Sequence, residues 1–253
     1  MQLGNVKLFK GIGYVCFLDI LGFSQDILSN WNATESNPLD KLLAIKSALP
    51  VLHDDEVESG VSQSVRNYVC RVNTVSDSIT IAFGLEKELI IGDMVLGLEV
   101  LLANVREVWR TAIELGYTLR GAIDFGEIYW DKNELVGPAF INAYRLESEI
   151  ARVSRVVASS KLNKLLANLA SNYSSGIVEH LIDNFRKDVD GYIVLDPYKM
   201  CVTDEERVLL VKKLKKMASQ ASLPLIKEKY APLIEMLSKR PSALIEPSQL
   251  GQY

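Results

Sequence analysis

Apolar positions along this chain change their period several times, and each change marks an element. Tyr14-Val15-Cys16-Phe17-Leu18 is a β-branched and aromatic run that reads as a buried strand. Asp19 interrupts it where a further apolar residue would cost nothing, and a helix begins at Ser24. The polar stretch Asn30 to Asp40, which holds Pro38, breaks that helix. Leu42, Leu43, Ile45, Ala48 and Leu49 then resume a helical period that Pro50 ends. His53 to Gln63 is mostly polar and reads as a surface loop.

Arg71 to Phe83 is two strand-forming runs around a turn, a hairpin with Asp77 near its tip. Ile91, Met94, Val95, Leu98, Leu101, Leu102, Val105 and Val108 step as one buried face of a long helix, from about Lys87 to Leu115, and Gly116 closes it. Tyr117 to Ile123 is a strand that continues from Gly126 to Trp130 across a bend, and Asp131-Lys132-Asn133 is a hairpin turn. Pro138 to Ile150 is helical, Val153 to Ala158 a strand, Ser159 to Leu169 a helix and Asp190 to Leu195 a late strand. From Asp204 onward the chain is helical, cut by Pro224, Pro232, Pro241 and Pro247.

This order suits an α+β fold: an antiparallel or mixed sheet with its helices on one face, a ferredoxin-like βααββαβ core. The expected division is residues 1–202 as the main domain and 203–253 as a helical C-terminal appendage. In the appendage, Lys212 to Lys216 alternates with apolar positions, as the wet face of a packed helix does.

Composition narrows the function classes. With 253 residues, 48% of them hydrophobic, the chain can bury one sizeable core. A net charge of −4 argues against a sequence-independent grip on nucleic acid. Cys16, Cys70 and Cys201 have no metal-site spacing and suggest a reducing compartment. No signal sequence and no run of about 18 apolar residues is found, so a cytoplasmic protein without a membrane span is expected. His53 and His180 lie in no nucleophile motif.

The chemistry centres on two carboxylates. Asp19 alone reads equally as a carboxylate that needs a partner and as a residue that merely ends the strand or caps the following helix. If the hairpin lies beside the first strand, however, Asp77 faces Asp19 across one ladder spacing. Two carboxylates that close repel unless a cation sits between them, and oxygen donors suit Mg²⁺ or Mn²⁺.

Phe17-Leu18-Asp19-Ile20-Leu21-Gly22-Phe23-Ser24 resembles the first metal motif of the class III nucleotidyl cyclases, and Val75-Ser76-Asp77 resembles the second, usually Gly-Asp. Leu119 to Gly126 is similar to the strand-to-hairpin segment of that family, and Gly137 to Ser148 to the helix that ends its catalytic signature. The sparse glycines and the Tyr144-Arg145-Leu146-Glu147 variant look closest to the bacterial anti-phage pyrimidine cyclases, the Pycsar branch.

The resemblance implies a class III cyclase core. It further implies an in-line attack of a ribose hydroxyl on the α-phosphate of UTP or CTP, with two Mn²⁺ or Mg²⁺ ions at Asp19, Ile20 and Asp77. Backbone N–H groups from Ile20 through Leu21 and Gly22 to Phe23 would meet the phosphates. Arg145 would stabilise charge on the α-phosphate. Asn73 and Glu134 fall at base-reading positions, and an amide at Asn73 suits either pyrimidine. Asn142 lies one position from the ribose-orienting residue, and Arg186 or Lys187 are candidates for the triphosphate cation. A homodimer with composite sites is implied, as is a cyclic nucleotide read by a separate effector in phage defence. The alternatives are a cyclic CMP synthase, a purine cyclase and a non-catalytic cyclase-like binding module.

Overall fold

A computed structural model describes residues 7–49, 68–85, 90–173, 176–220, 224–239 and 250. The loop expected at His53 to Gln63 lies outside the described residues. The first strand, β1 (Phe9–Leu21), leads directly into α1 (Phe23–Asn30) and then α2 (Pro38–Ser47), the split helix expected around Pro38. Asn37 caps α2 by accepting from the Leu39 N–H. The hairpin β2 (Tyr68–Val75) and β3 (Ser78–Leu85) follows, then α3 (Ile91–Glu114), which begins at the first of its apolar positions; the expected start near Lys87 lies outside the described residues. Next come β4 (Thr118–Trp130), β5 (Leu135–Val136), α4 (Pro138–Glu149), β6 (Val156–Ala158) and α5 (Ser160–Asn172). β4 runs unbroken through the bend expected at Phe125.

The remaining elements are α6 (Gly176–Ile182), β7 (Phe185–Lys187), β8 (Ile193–Leu195), α7 (Pro197–Met200), α8 (Asp204–Gln220) and α9 (Pro224–Ser238). The sheet order is β2-β3-β1-β4-β6-β8-β7, with β5 hydrogen-bonded to β4. Its first four strands place β4 beside β1, β1 beside β3 and β3 beside β2, the ferredoxin-like order. All pairings are antiparallel except β4 with β6, so the sheet is mixed and the fold is α+β, as expected. Among the described residues the C-terminal part holds the two helices α8 and α9.

One expectation needs correction: the helices do not share one face. Tyr14, Cys16, Leu18 and Ile20 of β1 pack with Leu98, Leu101 and Val105 of α3 in the larger core. Val15 and Phe17 point the other way, onto Ala139 and Ala143 of α4. The period-2 alternation of β1 is apolar on both sides, because helices cover both sides. That is why the sequence shows a continuous apolar run there. Full burial of a large side chain such as Tyr14 or Phe83 contributes about 1.5–3 kcal/mol each.

The C-terminal helices do not form a separate core. Leu210 and Leu214 of α8, with Leu233 and Leu237 of α9, join the same cluster as α3. Lys212, Lys215 and Lys216 stay exposed around buried Leu214, the wet-face arrangement expected of that run.

Candidate active site

The end of β1, the β2–β3 turn, the start of β4, the start of α1 and the middle of α9 meet at one place. In the β1–β3 ladder Asp19 is opposite Ser78, so Asp77 in the β2–β3 turn falls beside it. The Ile20 N–H donates to the Asp77 carbonyl at 3.2 Å and pins the turn to the strand. Ser76 takes a positive φ of 52°, which a two-residue hairpin turn needs at its first position. Glycine would adopt that angle without strain.

Gly22, with φ 91°, turns the chain out of β1 into α1, and no side chain caps that helix start. Its first backbone N–H groups are therefore free of capping partners. Asp26 locks the helix in place. It accepts from Asn30 at 2.6 Å, from Lys41 at 3.0 Å and from the Tyr117 hydroxyl. Burial alone would raise the Asp26 pKa, but those three donors outweigh it and hold the carboxyl below its ordinary range.

An open cleft of about 380 Å³ lies here, lined by Asp19, Ile20, Leu21, Gly22 and Asp77. That volume falls in the range of small-molecule sites, about 300–1,000 Å³. Five of the twelve residues marked by sequence are thus brought together. Phe23 is the sixth by chain position, but its side chain is buried against Tyr117, so only its backbone is at the helix start.

The other marked residues lie elsewhere. Arg145 projects from α4 into solvent, 68% exposed at its side chain, with Glu149 3.9 Å away. Asn142 donates to the Asp124 carboxylate at 3.1 Å, inside the α4 contact. Asn73 sits on β2 opposite Thr80, outside the cleft lining. Glu134 is exposed in the β4–β5 turn, where its N–H bonds Asp131. Arg186 is paired with Asp196 at 3.5 Å, away from the cleft.

Four participants had no role assigned from the sequence: Arg120, Glu147, Lys229 and Tyr230. Arg120, opposite Asp19 in the β1–β4 ladder, holds Asp19 at 2.9 Å and Glu147 of α4 at 2.8 Å. Lys229 and Tyr230 of α9 form part of the cleft wall. Arg120 and Glu147 were legible in principle: cross-strand partners share a face, and Ala139, Ala143 and Glu147 step by four along the buried side of α4. Lys229 carries no such local signal.

The surroundings of Asp19 and Glu147 oppose their ionisation. Burial raises the Asp19 pKa, the Arg120 hydrogen bond and charge pull it back, and the nearby Asp77 charge pushes it up again. Glu147 is raised likewise, by burial first, against the opposing pull of Arg120.

The donor set suits a hard divalent cation. Asp19 and Asp77 are carboxylates, the remaining lining offers backbone and hydroxyl oxygens, and no His or Cys lines the cleft. The Asp77 carboxylate accepts one long hydrogen bond, from Ser24 at 3.5 Å. No cluster of three or more His, Cys, Asp or Glu side chains arranged to hold a metal occurs among the described residues. A pair of carboxylates is nonetheless what Mg²⁺ ordinarily takes from a protein, with water and substrate phosphates filling the other positions.

No protein-family model and no curated protein matches the chain. Among solved structures, a class III adenylyl cyclase-like ATP-binding protein from Pseudomonas aeruginosa is similar at 14% identity with a TM-score of 0.43, covering 63% of this chain and 36% of that one. The adenylyl cyclase CyaB from P. aeruginosa is similar at 15% identity with a TM-score of 0.46, covering 75% of this chain and 96% of that one. No helix among the described residues is long and apolar enough to cross a membrane.

Proposed function

We propose that this chain is a metal-dependent nucleotidyl cyclase of the class III type. Its proposed reaction converts UTP into 3′,5′-cyclic UMP and pyrophosphate, and the product signals to a separate effector in defence against phage. The observation that carries the cyclase reading is the joining of Asp19 and Asp77 to the uncapped Gly22 turn in one open cleft. The choice of a pyrimidine and the defence role rest on the sequence resemblance around Tyr144 to Glu147 and on Asn73.

Asp19 and Asp77, with the Ile20 backbone, would hold Mn²⁺ or Mg²⁺ ions. Bound ions lower the pKa of the attacking ribose hydroxyl and neutralise the triphosphate. The chain itself would supply the rest. N–H groups from Leu21 to Phe23 at the start of α1 would bind β- and γ-phosphate oxygens with the helix dipole in their favour. Arg120 would keep Asp19 ionised and aimed, anchored in turn on Glu147.

Arg145 is exposed on α4 and is not part of the lining of its own cleft, so its proposed role at the α-phosphate calls for a second subunit. A homodimer with composite sites meets that need. Asn142, engaged with Asp124, would position α4 rather than touch the ribose.

The test is product formation by purified protein with Mn²⁺ and each of ATP, GTP, CTP and UTP. Cyclic UMP from UTP, lost on the order of a hundredfold or more in Asp77→Ala and Arg145→Ala, is the expected result. Cyclic CMP would keep the site and correct the base. No product from any of the four would overturn the catalytic reading in favour of a binding module.

A further inference from the structure

We infer that α9 is the anion-binding wall of the cleft, and that Lys229 contributes an ammonium to a polyphosphate chain lying between α9 and the start of α1. The inference rests on reading the cleft as a nucleoside triphosphate site.

Two cations line the cleft, and they are differently engaged. The Arg120 guanidinium is held between two carboxylates, Asp19 at 2.9 Å and Glu147 at 2.8 Å. Lys229 is half-buried and has no ion pair within 4.0 Å among the described residues, although its charge acts on Asp19. A partly desolvated ammonium without a partner favours an anion.

What surrounds it points to the same kind of ligand. The start of α1 has no side-chain cap and faces the same cleft through Gly22 and Ser24. Thr118 also lines the cleft; it is fully buried, and its hydroxyl has no hydrogen-bond partner among the described residues. Helix N–H groups, a hydroxyl and an ammonium are the donors a phosphate chain takes, and the carboxylate pair beside them would take its counter-cations.

The position of Lys229 is fixed by the fold. The Ser154 N–H donates to the Lys229 carbonyl at 3.4 Å, and the Ser154 hydroxyl donates to the Leu119 carbonyl at 3.1 Å. Leu119 adjoins Arg120, so this turn of α9 is tied to the strand that carries the Asp19 partner. Leu233 and Leu237 anchor the next turns in the main core. The C-terminal segment is thereby a component of the site.

The experiment uses the full-length chain with inorganic tripolyphosphate and Mn²⁺ as probes. Calorimetry measures tripolyphosphate binding in the presence of Mn²⁺, and electron paramagnetic resonance measures Mn²⁺ alone. Lys229→Gln is expected to weaken tripolyphosphate binding about tenfold or more, with Lys229→Arg retaining most of it and Mn²⁺ binding undiminished in both. Equal tripolyphosphate affinity in wild type and Lys229→Gln, or no binding by the wild type, overturns the inference. So does a parallel loss of Mn²⁺ binding, which would make Lys229 a support for the carboxylates alone. A Lys229-dependent tripolyphosphate site in a chain that forms no cyclic nucleotide would retain this inference while the cyclase reading falls.

Discussion

Asp19 and Asp124 occupy neighbouring strands on the same face of one sheet, yet their surroundings differ in every respect. Asp19, near the end of β1, is bound by a guanidinium, feels a second carboxylate and an ammonium, and opens onto the cleft. Asp124, in mid-strand on β4, is fully buried beneath α4 and accepts hydrogen bonds from the Ser159 hydroxyl and the Asn142 amide. The first environment leaves a carboxylate available to a ligand; the second uses both of its oxygens to fasten a helix and a loop to the sheet. Position along the strand decides which: α4 covers Asp124 in mid-strand, and its last turn meets the cleft residue Arg120 through Glu147.

The largest stability effect should come from breaking the cleft-side triad. Arg120→Gln leaves Glu147, 4% exposed at its side chain, without its cation. Breaking a buried pair costs about 3–5 kcal/mol, and the partial exposure of Arg120 brings the expectation to about 2–4 kcal/mol. Chemical denaturation of Arg120→Gln, Glu147→Gln and the double variant forms the measurement. The double variant should be more stable than Arg120→Gln alone, since it removes the stranded charge. A double variant as unstable as the sum of both singles would mean that the ion pair does not couple them.

A smaller loss is expected from the sealed carboxylate, and it should be confined to stability. Asp124→Ala deprives Ser159 and Asn142 of their acceptor, a cost of about 1–3 kcal/mol, or a fall in Tm of about 3–10 °C. Mn²⁺ binding measured by electron paramagnetic resonance should be unchanged. A loss of Mn²⁺ affinity comparable to that of Asp77→Ala would join the two regions into one site and erase the contrast drawn between them.

The contrast also explains what could be read from the chain alone. Asp19 stood out because β1 is apolar on both faces, so any charge there is conspicuous, and the Asp77 hairpin followed from its flanking strand-forming runs. The long amphipathic α3 and its Gly116 close, with φ 90°, were equally local signals. Asp124 lies in just such a strand, yet its partners on α4 and before α5 are 18 and 35 residues away and meet it only in three dimensions. β7, three residues long, and α6, seven residues long, are too short to develop a period. Placement of α4 on the opposite face needed the strand pairing first. Lys229 looked like any surface lysine because its contact with the cleft depends on how α9 returns to β4.

Acid titration provides the finest separation of the two kinds of carboxylate. Asp19 and Glu147 have pKa values raised above ordinary, chiefly by burial, so their ionised forms weigh against the fold. As pH falls through those raised values the two groups take up protons in the native state first, which relieves that cost while removing the charge a divalent cation needs. Asp26 has the opposite sign. Its hydrogen-bond donors outweigh the burial that would raise it and leave its pKa lowered, so the stability it contributes is present above the ordinary aspartate pKa of about 3.9 and is lost as pH falls through its lower native value. On lowering pH, Mn²⁺ affinity should therefore decline before stability does. Paired titrations of Mn²⁺ binding and Tm between about pH 7 and pH 3 would measure the gap. Asp19→Asn should flatten the affinity profile in its upper part and leave the low-pH fall in Tm in place. Coincident loss of affinity and stability in the wild type would mean that the cleft carboxylates titrate with the fold rather than ahead of it.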